Sequence, residues 1–313
     1  MTRRAFSRRP GRIGRHRLTT TALAGTALLL AVTGCVSAGA PAGEGGAPAP
    51  AGTVAATTTP ERSLLHDAEQ ELQRRCMTGA GFRYWAKPEN PLPEARDFPY
   101  VVDDAQWAGR YGYGSVLEPR VEVLRRQDPN RVHFGGLSPE RRHAAVTALN
   151  GTTDGQGLRA ELPGGAVVGH SGNGCRVTAW RALYGDVAGW YAANTLVGNL
   201  GGIRRQRVAA EPEFAAAVRA WSACMREHGS PYRTPREARD AFLGGKGAPD
   251  RAREVRVAVR EARCAHDSGL AAVAQRLDHH HDRELRREHR TAVERVERLR
   301  AAALPRARAV LGR

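Results

Sequence analysis

A run of histidines and carboxylates near the C-terminus holds the side chains best suited to binding a metal ion. It reads Asp278-His279-His280-His281-Asp282 and continues to Glu284, Glu288 and His289. On a helix, Asp278, His281 and Asp282 share one face, and His289 lies two turns beyond His281. Imidazole and carboxylate groups suit zinc or another divalent ion. His281, Asp278, Asp282 and His289 are therefore a weak metal candidate.

The same run also fits a packing seam between helices. The H-E-x-x-H pattern is absent, and no two of these histidines are four residues apart. Apolar residues recur every three or four positions from Leu270 to Ala303, and His281 and His289 fall on that stripe. On this alternative, both are partly buried packing residues and the other histidines are solvated. No cofactor is predicted.

A glycine-rich loop and a pair of acids are the other candidates for chemistry. Gly169-His170-Ser171-Gly172-Asn173-Gly174 approaches the spacing around a nucleophilic serine, but Asn173 replaces the second glycine of G-x-S-x-G. A nucleophilic serine also needs a base and an orienting acid. The alternative is a loop that presents Cys175 to Cys76. Asp103-Asp104 suits either acid–base cleavage of a sugar or surface salt bridges. No catalytic residue is predicted.

Residues 1–34 have the pattern of a lipoprotein signal peptide. Seven arginines and no acid precede an apolar stretch that ends in Val32-Thr33-Gly34-Cys35. A basic start, a short apolar run and small residues before the cut are typical of secretion. Cys35 is the predicted lipidation site, followed to residue 60 by a flexible Ala/Gly/Pro/Thr-rich tether. The alternative is an uncleaved membrane anchor, for which the run is short.

Two segments of the mature chain repeat one another. Cys76 and Cys224 each begin the pattern Cys-Met-x-x-x-Gly, with a tyrosine three residues after the glycine. Glu-Ala-Arg-Asp then follows in both copies, at residues 94–97 and 237–240. Together these matches indicate an internal duplication. Each copy is expected to be a helix that carries Cys and Met on its inner face and ends at the glycine.

The duplication orders the remaining four cysteines. Once Cys35 carries a lipid, three pairings are open. If each Cys-Met helix pairs with the next cysteine downstream, the disulfides are Cys76–Cys175 and Cys224–Cys264. Structural zinc is the competing interpretation, but no C-x-x-C element occurs. A free catalytic thiol is disfavoured because exposed thiols oxidise outside the cell.

The spacing of apolar residues and helix-terminal residues predicts a mainly helical fold. Helices are expected over 61–79, from Pro139 to Asn150, over 175–200 with a break at Gly185, over 211–228, over 235–242 and over 250–268. A last long helix is expected over 270–304, stopped by Pro305. Strand signals are weak and confined to residues 131–134 and 161–168, near Gly164-Gly165. No strand–helix–strand pattern repeats, so a doubly wound sheet or a barrel is not expected.

These elements predict two related helical modules, each stapled by one disulfide. The first spans residues 61–205 and contains a minor β or loop insertion. The second spans residues 206–304, ends in the long C-terminal helix and is followed by a basic tail over 305–313. Both modules would follow the signal peptide and the tether.

The chain resembles uncharacterised lipoproteins of high-GC Gram-positive bacteria that carry paired Cys-Met-x-x-x-Gly segments. The resemblance rests on those segments, on Leu137-Ser138-Pro139-Glu140, on Gly174-Cys175 and on Trp221-Ser222-Ala223-Cys224-Met225. It covers most of residues 61–304. It implies no activity, substrate or catalytic residue.

Charge and compartment bound the function. The chain has 48 basic and 32 acidic residues, and discarding the seven signal arginines leaves a net charge of +9. The basic excess lies near the C-terminus, and the long C-terminal helix is the expected contact surface for anionic lipid headgroups or an acidic wall polymer. The alternative is a solvated helix face. Nucleic acid is not an expected partner in this compartment, and protein partners are unknown.

The expected protein is lipid-anchored on the outer face of the cytoplasmic membrane and non-enzymatic, with a role in envelope binding, interaction or structural support. The alternatives are a hydrolase that acts on wall polymer and a solute-binding lipoprotein.

Overall fold

The computed structural model describes residues 55–152, 157–243 and 250–313, which form a mainly helical protein with twelve helices and one two-stranded hairpin. The predicted signal peptide, Cys35 and the predicted tether up to residue 54 lie outside these residues. The helices are α1 Thr59–Gly79, α2 Ala105–Tyr111, α3 Glu118–Gln127, α4 Pro129–Gly135, α5 Pro139–Asn150, α6 Cys175–Tyr184, α7 Val187–Ala210, α8 Pro212–Glu227, α9 Pro235–Leu243, α10 Arg251–Asp267, α11 Leu270–Glu288 and α12 Arg290–Leu311.

Helix ends with a clear chemical signal lie where the sequence predicts them. The Ser138 side chain accepts from the Arg141 amide at the start of α5, and Asp250 caps α10 in the same way through Arg253. Gly185 has φ +71° and separates α6 from α7, the break expected there.

The strand prediction for residues 131–134 is wrong, because they lie in α4. Asp128 accepts from the Asn130 amide at 2.8 Å and Pro129 occupies the first helical turn, so a capped helix start outweighs the β-propensity of this segment. The hairpin instead pairs β1 (Leu158–Glu161) with β2 (Val167–His170) in antiparallel register around Gly164 and Gly165. Helices α2 and α3 were not expected from the sequence.

The predicted helix over 270–304 is two helices, and Pro305 does not stop the second. The helix is interrupted at His289. Helix α11 packs on α7, α8 and α10, and α12 packs on α1, α6 and α7. Pro305 removes one helical hydrogen bond, but Ala301, whose carbonyl loses that bond, is exposed and can face water. The residues on the opposite side, Ala303, Leu304 and Ala307, are buried, and this packing carries the helix on to Leu311. Residues 305–311 are therefore helical rather than a tail.

Two main cores hold these elements, and each takes a segment from both sides of residue 205. One core is built on α1, α6 and α7 and includes Val296, Ala303 and Leu304 of α12. The other is built on α8, α9, α10 and the start of α11, and includes α2 together with residues 92–117 around it. The part of the chain from residue 55 onward packs as one unit. In residues 55–152, 157–243 and 250–313, no helix combines the length and the apolar character that crossing a membrane requires.

Two disulfides join Cys76 to Cys175 and Cys224 to Cys264, which is the pairing predicted from the duplicated segments. The first links α1 to the start of α6, and the second links α8 to α10. The two Cys-Met helices end alike. The Phe82 amide donates to the Met77 carbonyl at 2.9 Å, and the Ser230 amide donates to the Met225 carbonyl at 2.8 Å. In each copy a glycine with positive φ makes this ending.

Candidate functional site

The four predicted metal ligands do not meet at one point. Arg204 of α7 pairs with Asp278 at 3.0 Å and with Asp282 at 2.6 Å. Burial alone would raise the pKa of Asp282, but hydrogen bonds from Arg286 and Arg204 hold it below its usual value. Both carboxylates are thus neutralised by arginine, and they tie α11 to α7.

The two histidines of that set lie apart. His281 is buried and faces two carboxylates: its Nε2 lies 2.8 Å from Glu211 and its Nδ1 lies 3.2 Å from Glu284. His289 is the turn between α11 and α12. Within the described residues, the ligand atoms that do cluster in this run belong to His280, His281 and Glu284. Since both nitrogens of His281 already have partners, a metal would have to displace one, and metal binding here stays a prediction.

The polar side chains of the glycine-rich loop form hydrogen bonds within the loop and do not form a catalytic triad. The Ser171 hydroxyl donates to the Asn173 side chain at 2.8 Å, and a ring nitrogen of His170 contacts the Ser171 carbonyl. No acid within the described ranges joins them through a hydrogen bond. The loop leads through Gly174, with φ +89°, into Cys175 and its disulfide.

The acidic pair is also structural. Asp104 caps α2 through the Gln106 and Trp107 amides and pairs with Arg96. The carbonyl of Asp103 accepts from His266.

The arginines of the C-terminal helix are largely engaged within the fold. Arg300 pairs with Glu297 at 3.2 Å, and Arg290 and Arg298 flank Glu294. Arg306 donates to the Leu183 carbonyl at 2.6 Å. These contacts engage several arginines of α12 within the fold, and contact of this helix with an anionic partner stays a prediction.

A cleft of about 590 Å³ between α1, α4, α5 and α6 is the site that the sequence did not predict. Its floor is one face of α1, and its walls come from the side chains of the other three helices and from residues 84–87. Trp180 and Arg176, one turn apart on α6, form one wall. The Cys76–Cys175 disulfide fixes α1 to α6 next to this wall. Volumes of this size are usual for small-ligand sites.

A chain of polar side chains forms the floor. Trp180 Nε1 donates to Glu69 at 2.9 Å, and Gln73 Nε2 donates to the same oxygen at 3.1 Å. The Tyr84 hydroxyl donates to Gln73 Oε1 at 3.3 Å. Gln73 is 2% exposed, whereas Glu69 keeps contact with the cleft. Burial raises the pKa of Glu69, against the opposing effects of the Trp180 hydrogen bond and of the nearby His66 and Arg176.

Residues 84–87 form a fixed rim above the floor. The Lys87 amide donates to Gln70 at 3.1 Å, and His66 Nε2 donates to the Lys87 carbonyl at 2.7 Å. Asn130 of α4 makes two hydrogen bonds to the backbone of Trp85, one as donor and one as acceptor. The rim is thus bonded to α1 on one side and to α4 on the other, so the cleft is preformed.

The rim also carries an ion pair. Lys87 Nζ lies 3.0 Å from Asp128, which also accepts from the Asn130 amide at 2.8 Å. Burial alone would raise the pKa of Asp128, but the hydrogen bonds from Lys87 and from the Asn130 amide hold it below its usual value. The cleft therefore contains two carboxyl groups whose pKa values are displaced in opposite directions.

Helix α8, which carries the second Cys-Met segment, offers a comparison for this floor. The residues that line the cleft from α1 are His66, Glu69, Gln70 and Gln73, which stand ten, seven, six and three residues before Cys76. The residues at the same distances before Cys224 are Phe214, Ala217, Val218 and Trp221. Ala217 and Trp221 are buried in an apolar core, and Phe214 and Val218 pack against that core. One copy of the helix is therefore an ordinary core element, and the other turns the same face into a polar cleft.

The same difference between α1 and α8 could have indicated the cleft from the sequence. Glu69 and Gln73 look like the solvated face of an amphipathic helix until the two cysteine segments are aligned beyond their shared motif. Arg176 and Trp180 carry no motif and reach the cleft only through the packing of α6 on α1.

Comparison of the chain with protein-family models, with curated proteins and with solved structures finds no match.

Proposed function

We propose that this protein is a non-enzymatic binding protein of the cell envelope, anchored by a lipid on Cys35, and that the cleft over Glu69 and Gln73 holds its ligand. The supporting observation is the polar floor that α1 forms. At the equivalent distances before its cysteine, α8 has apolar core residues. Buried polar groups cost free energy unless they are paired, and an apolar face is available in the same fold. A ligand that uses these groups gives a reason to retain them.

The location outside the cytoplasm has independent support. Four cysteines of the described residues form two disulfides, and disulfides are typical of oxidising compartments. The lipid anchor and the outer face of the cytoplasmic membrane rest on the signal pattern at residues 1–35, and we keep them as proposals.

The test uses the full chain in detergent and soluble fragments released by digestion of purified cell wall. We expect the fragments to raise the melting temperature of the wild-type protein. Gln73→Met keeps the volume of the side chain and removes its hydrogen bonds, so the variant should lose the fragment-induced shift, and its melting curve without fragments shows whether the fold is intact.

The exposed Gln127→Met variant is the matched control and should respond as the wild type does. If the fragments do not shift the wild type, or shift Gln73→Met equally, the cleft is not the ligand site.

A wall-polymer hydrolase is the second candidate, and one observation favours it. Acid–base cleavage of a glycosidic bond needs one protonated and one ionised carboxyl group beside the sugar. Glu69, with its raised pKa, and Asp128, with its lowered pKa, line the same cleft. Release of new reducing ends from cell wall by the wild type, and not by Glu69→Gln, would support the hydrolase; fragment binding without release supports the binding protein.

A further inference from the structure

We propose that the ligand of the cleft is an anionic saccharide, whose carboxylate or phosphate binds Arg176 and whose ring lies against Trp180. This inference rests on the proposed function and names the chemical class of its ligand.

Arg176 is the first observation that carries it. The side chain lies on α6, is half-buried and lines the cleft. Within residues 55–152, 157–243 and 250–313, no hydrogen bond or ion pair engages its guanidinium group. Its neighbour in sequence, Cys175, is fixed by the disulfide, so the helix turn that carries Arg176 is held in place. A guanidinium group in a fixed position, with free donors, suits two parallel hydrogen bonds to a carboxylate or phosphate.

The charges around the cleft agree with an anionic group. The lining has three permanent cations, Lys87, Arg131 and Arg176, against two carboxyl groups, Glu69 and Asp128. Asp128 is already paired with Lys87 at 3.0 Å. The remaining carboxyl group, Glu69, lies on the floor and accepts from Trp180 and Gln73. With Arg131 and Arg176 both in the lining, the cations outnumber the carboxyl groups.

The walls agree with a sugar ring. Trp180 and Phe134, both partly exposed, line the cleft, and aromatic side chains offer flat apolar faces for the C–H faces of a pyranose. Gln70 and Asn150 add amide groups that can both donate to and accept from hydroxyl groups. Since small-ligand sites range over about 300–1,000 Å³, the cleft has room for one or two such rings.

The test compares three probes that share one ring. N-acetylglucosamine is neutral, N-acetylmuramic acid adds a carboxylate, and N-acetylglucosamine 6-phosphate adds a phosphate. Binding to the full chain in detergent is measured by titration calorimetry. We expect at least one anionic probe to bind about tenfold more tightly than the neutral probe, because it gains charge-assisted hydrogen bonds. Which anionic probe binds more tightly identifies the source of the charge.

The variant Arg176→Gln should bring the anionic probes to the affinity of the neutral probe and leave the neutral probe unchanged. Arg181→Gln, on an exposed position of the same helix, is the matched control and should keep the preference. Unfolding curves of both variants show whether the fold is intact.

Two results would overturn the inference: equal affinity of the wild type for neutral and anionic probes, or no binding of any probe. If wall fragments still shift the wild type and not Gln73→Met, only the ligand class is wrong. If that shift is absent as well, the proposed function fails with it.

Discussion

Glu261 and Glu69 are both buried carboxyl groups with raised pKa values, but their surroundings differ. Glu261 is fully buried in α10 and accepts from the Tyr113 hydroxyl at 2.5 Å and from the Val102 amide at 2.9 Å. Burial raises the pKa of Glu261 to about 7, although both hydrogen bonds act in the opposite direction. It holds the segment before α3 against α10, out of contact with solvent. Glu69 lines a cleft. A ligand can therefore reach the carboxyl group of Glu69 but not that of Glu261.

The Glu261 carboxyl should make stability depend on pH. Its folded pKa lies above the ordinary 4.5, so its contribution to stability is complete below about pH 4.5 and is lost as pH rises through about 7. Glu261→Gln cannot ionise. We expect the two proteins to be similarly stable at pH 5, and the variant to be more stable at pH 8 by up to about 3 kcal/mol.

Urea unfolding of both proteins between pH 5 and pH 8 measures this difference, with the exposed Glu227→Gln as the control. Parallel pH profiles for the wild type and Glu261→Gln would show that Glu261 is ionised throughout.

At the scale of elements, the sequence predicts helix boundaries where a side chain or a glycine sets the backbone locally. Ser138, Asp250 and Gly185 act within one turn of their own position, so their effects can be read from the sequence. Pro305 is the counter-example. Its local cost is outweighed by the burial of neighbouring residues against helices that are distant in sequence, and no local pattern reports that burial.

The cleft could not be predicted from the sequence for the same reason, since it depends on packing between helices that are distant in sequence. Its lining comes from α1, α4, α5 and α6, and no local pattern within one helix reports how the four pack together. The sequence does allow α1 and α8 to be aligned on their shared Cys-Met-x-x-x-Gly motif. That alignment sets the polar residues of α1 against apolar residues of α8. The predicted metal residues failed to converge because Arg204, far away in sequence, takes both aspartates.

The two disulfides should differ in function more than in stability. They close segments of 99 and 40 residues, for which the chain-entropy model gives about 5 and about 4 kcal/mol. Replacing either pair by alanine should therefore lower the free energy of unfolding by similar amounts in a urea titration.

Only the Cys76–Cys175 pair fixes the two helices that form the floor and wall of the cleft. Its removal should weaken the binding of wall fragments at a temperature where the protein is still folded, and removal of Cys224–Cys264 should not. Equal loss of binding in both variants would contradict a cleft confined to α1 and α6 and their neighbours.

At the scale of the whole molecule, the two halves share their cores. Residues 92–117 pack with α8 to α11, and α12 packs with α1, α6 and α7. The two related modules predicted at 61–205 and 206–304 are thus linked by exchanged segments, and we keep their common origin as a proposal. Residues 35–313 have a net charge of +9, and some of their arginines form ion pairs within the described residues.

The proposed anchor has a direct test in cells. Cys35→Ser removes the only atom to which the lipid can be attached and leaves the export signal in place. We expect wild-type protein in the membrane fraction and in the detergent phase of a Triton X-114 partition, and the variant in the aqueous phase or the medium. A variant that partitions with the detergent like the wild type would indicate an uncleaved anchor instead.

Hydrogen exchange of the full chain, with and without soluble wall fragments, tests the ligand cleft most directly. If the fragments bind in the cleft, we expect slower amide hydrogen exchange in α1, in residues 84–87 and in α6. Exchange in α8, the helix with the second Cys-Met segment, should not change. Protection spread over α12, abolished by salt, would instead indicate a charged surface contact. Absence of any protection in α1 and α6 at saturating fragment would contradict the proposed function.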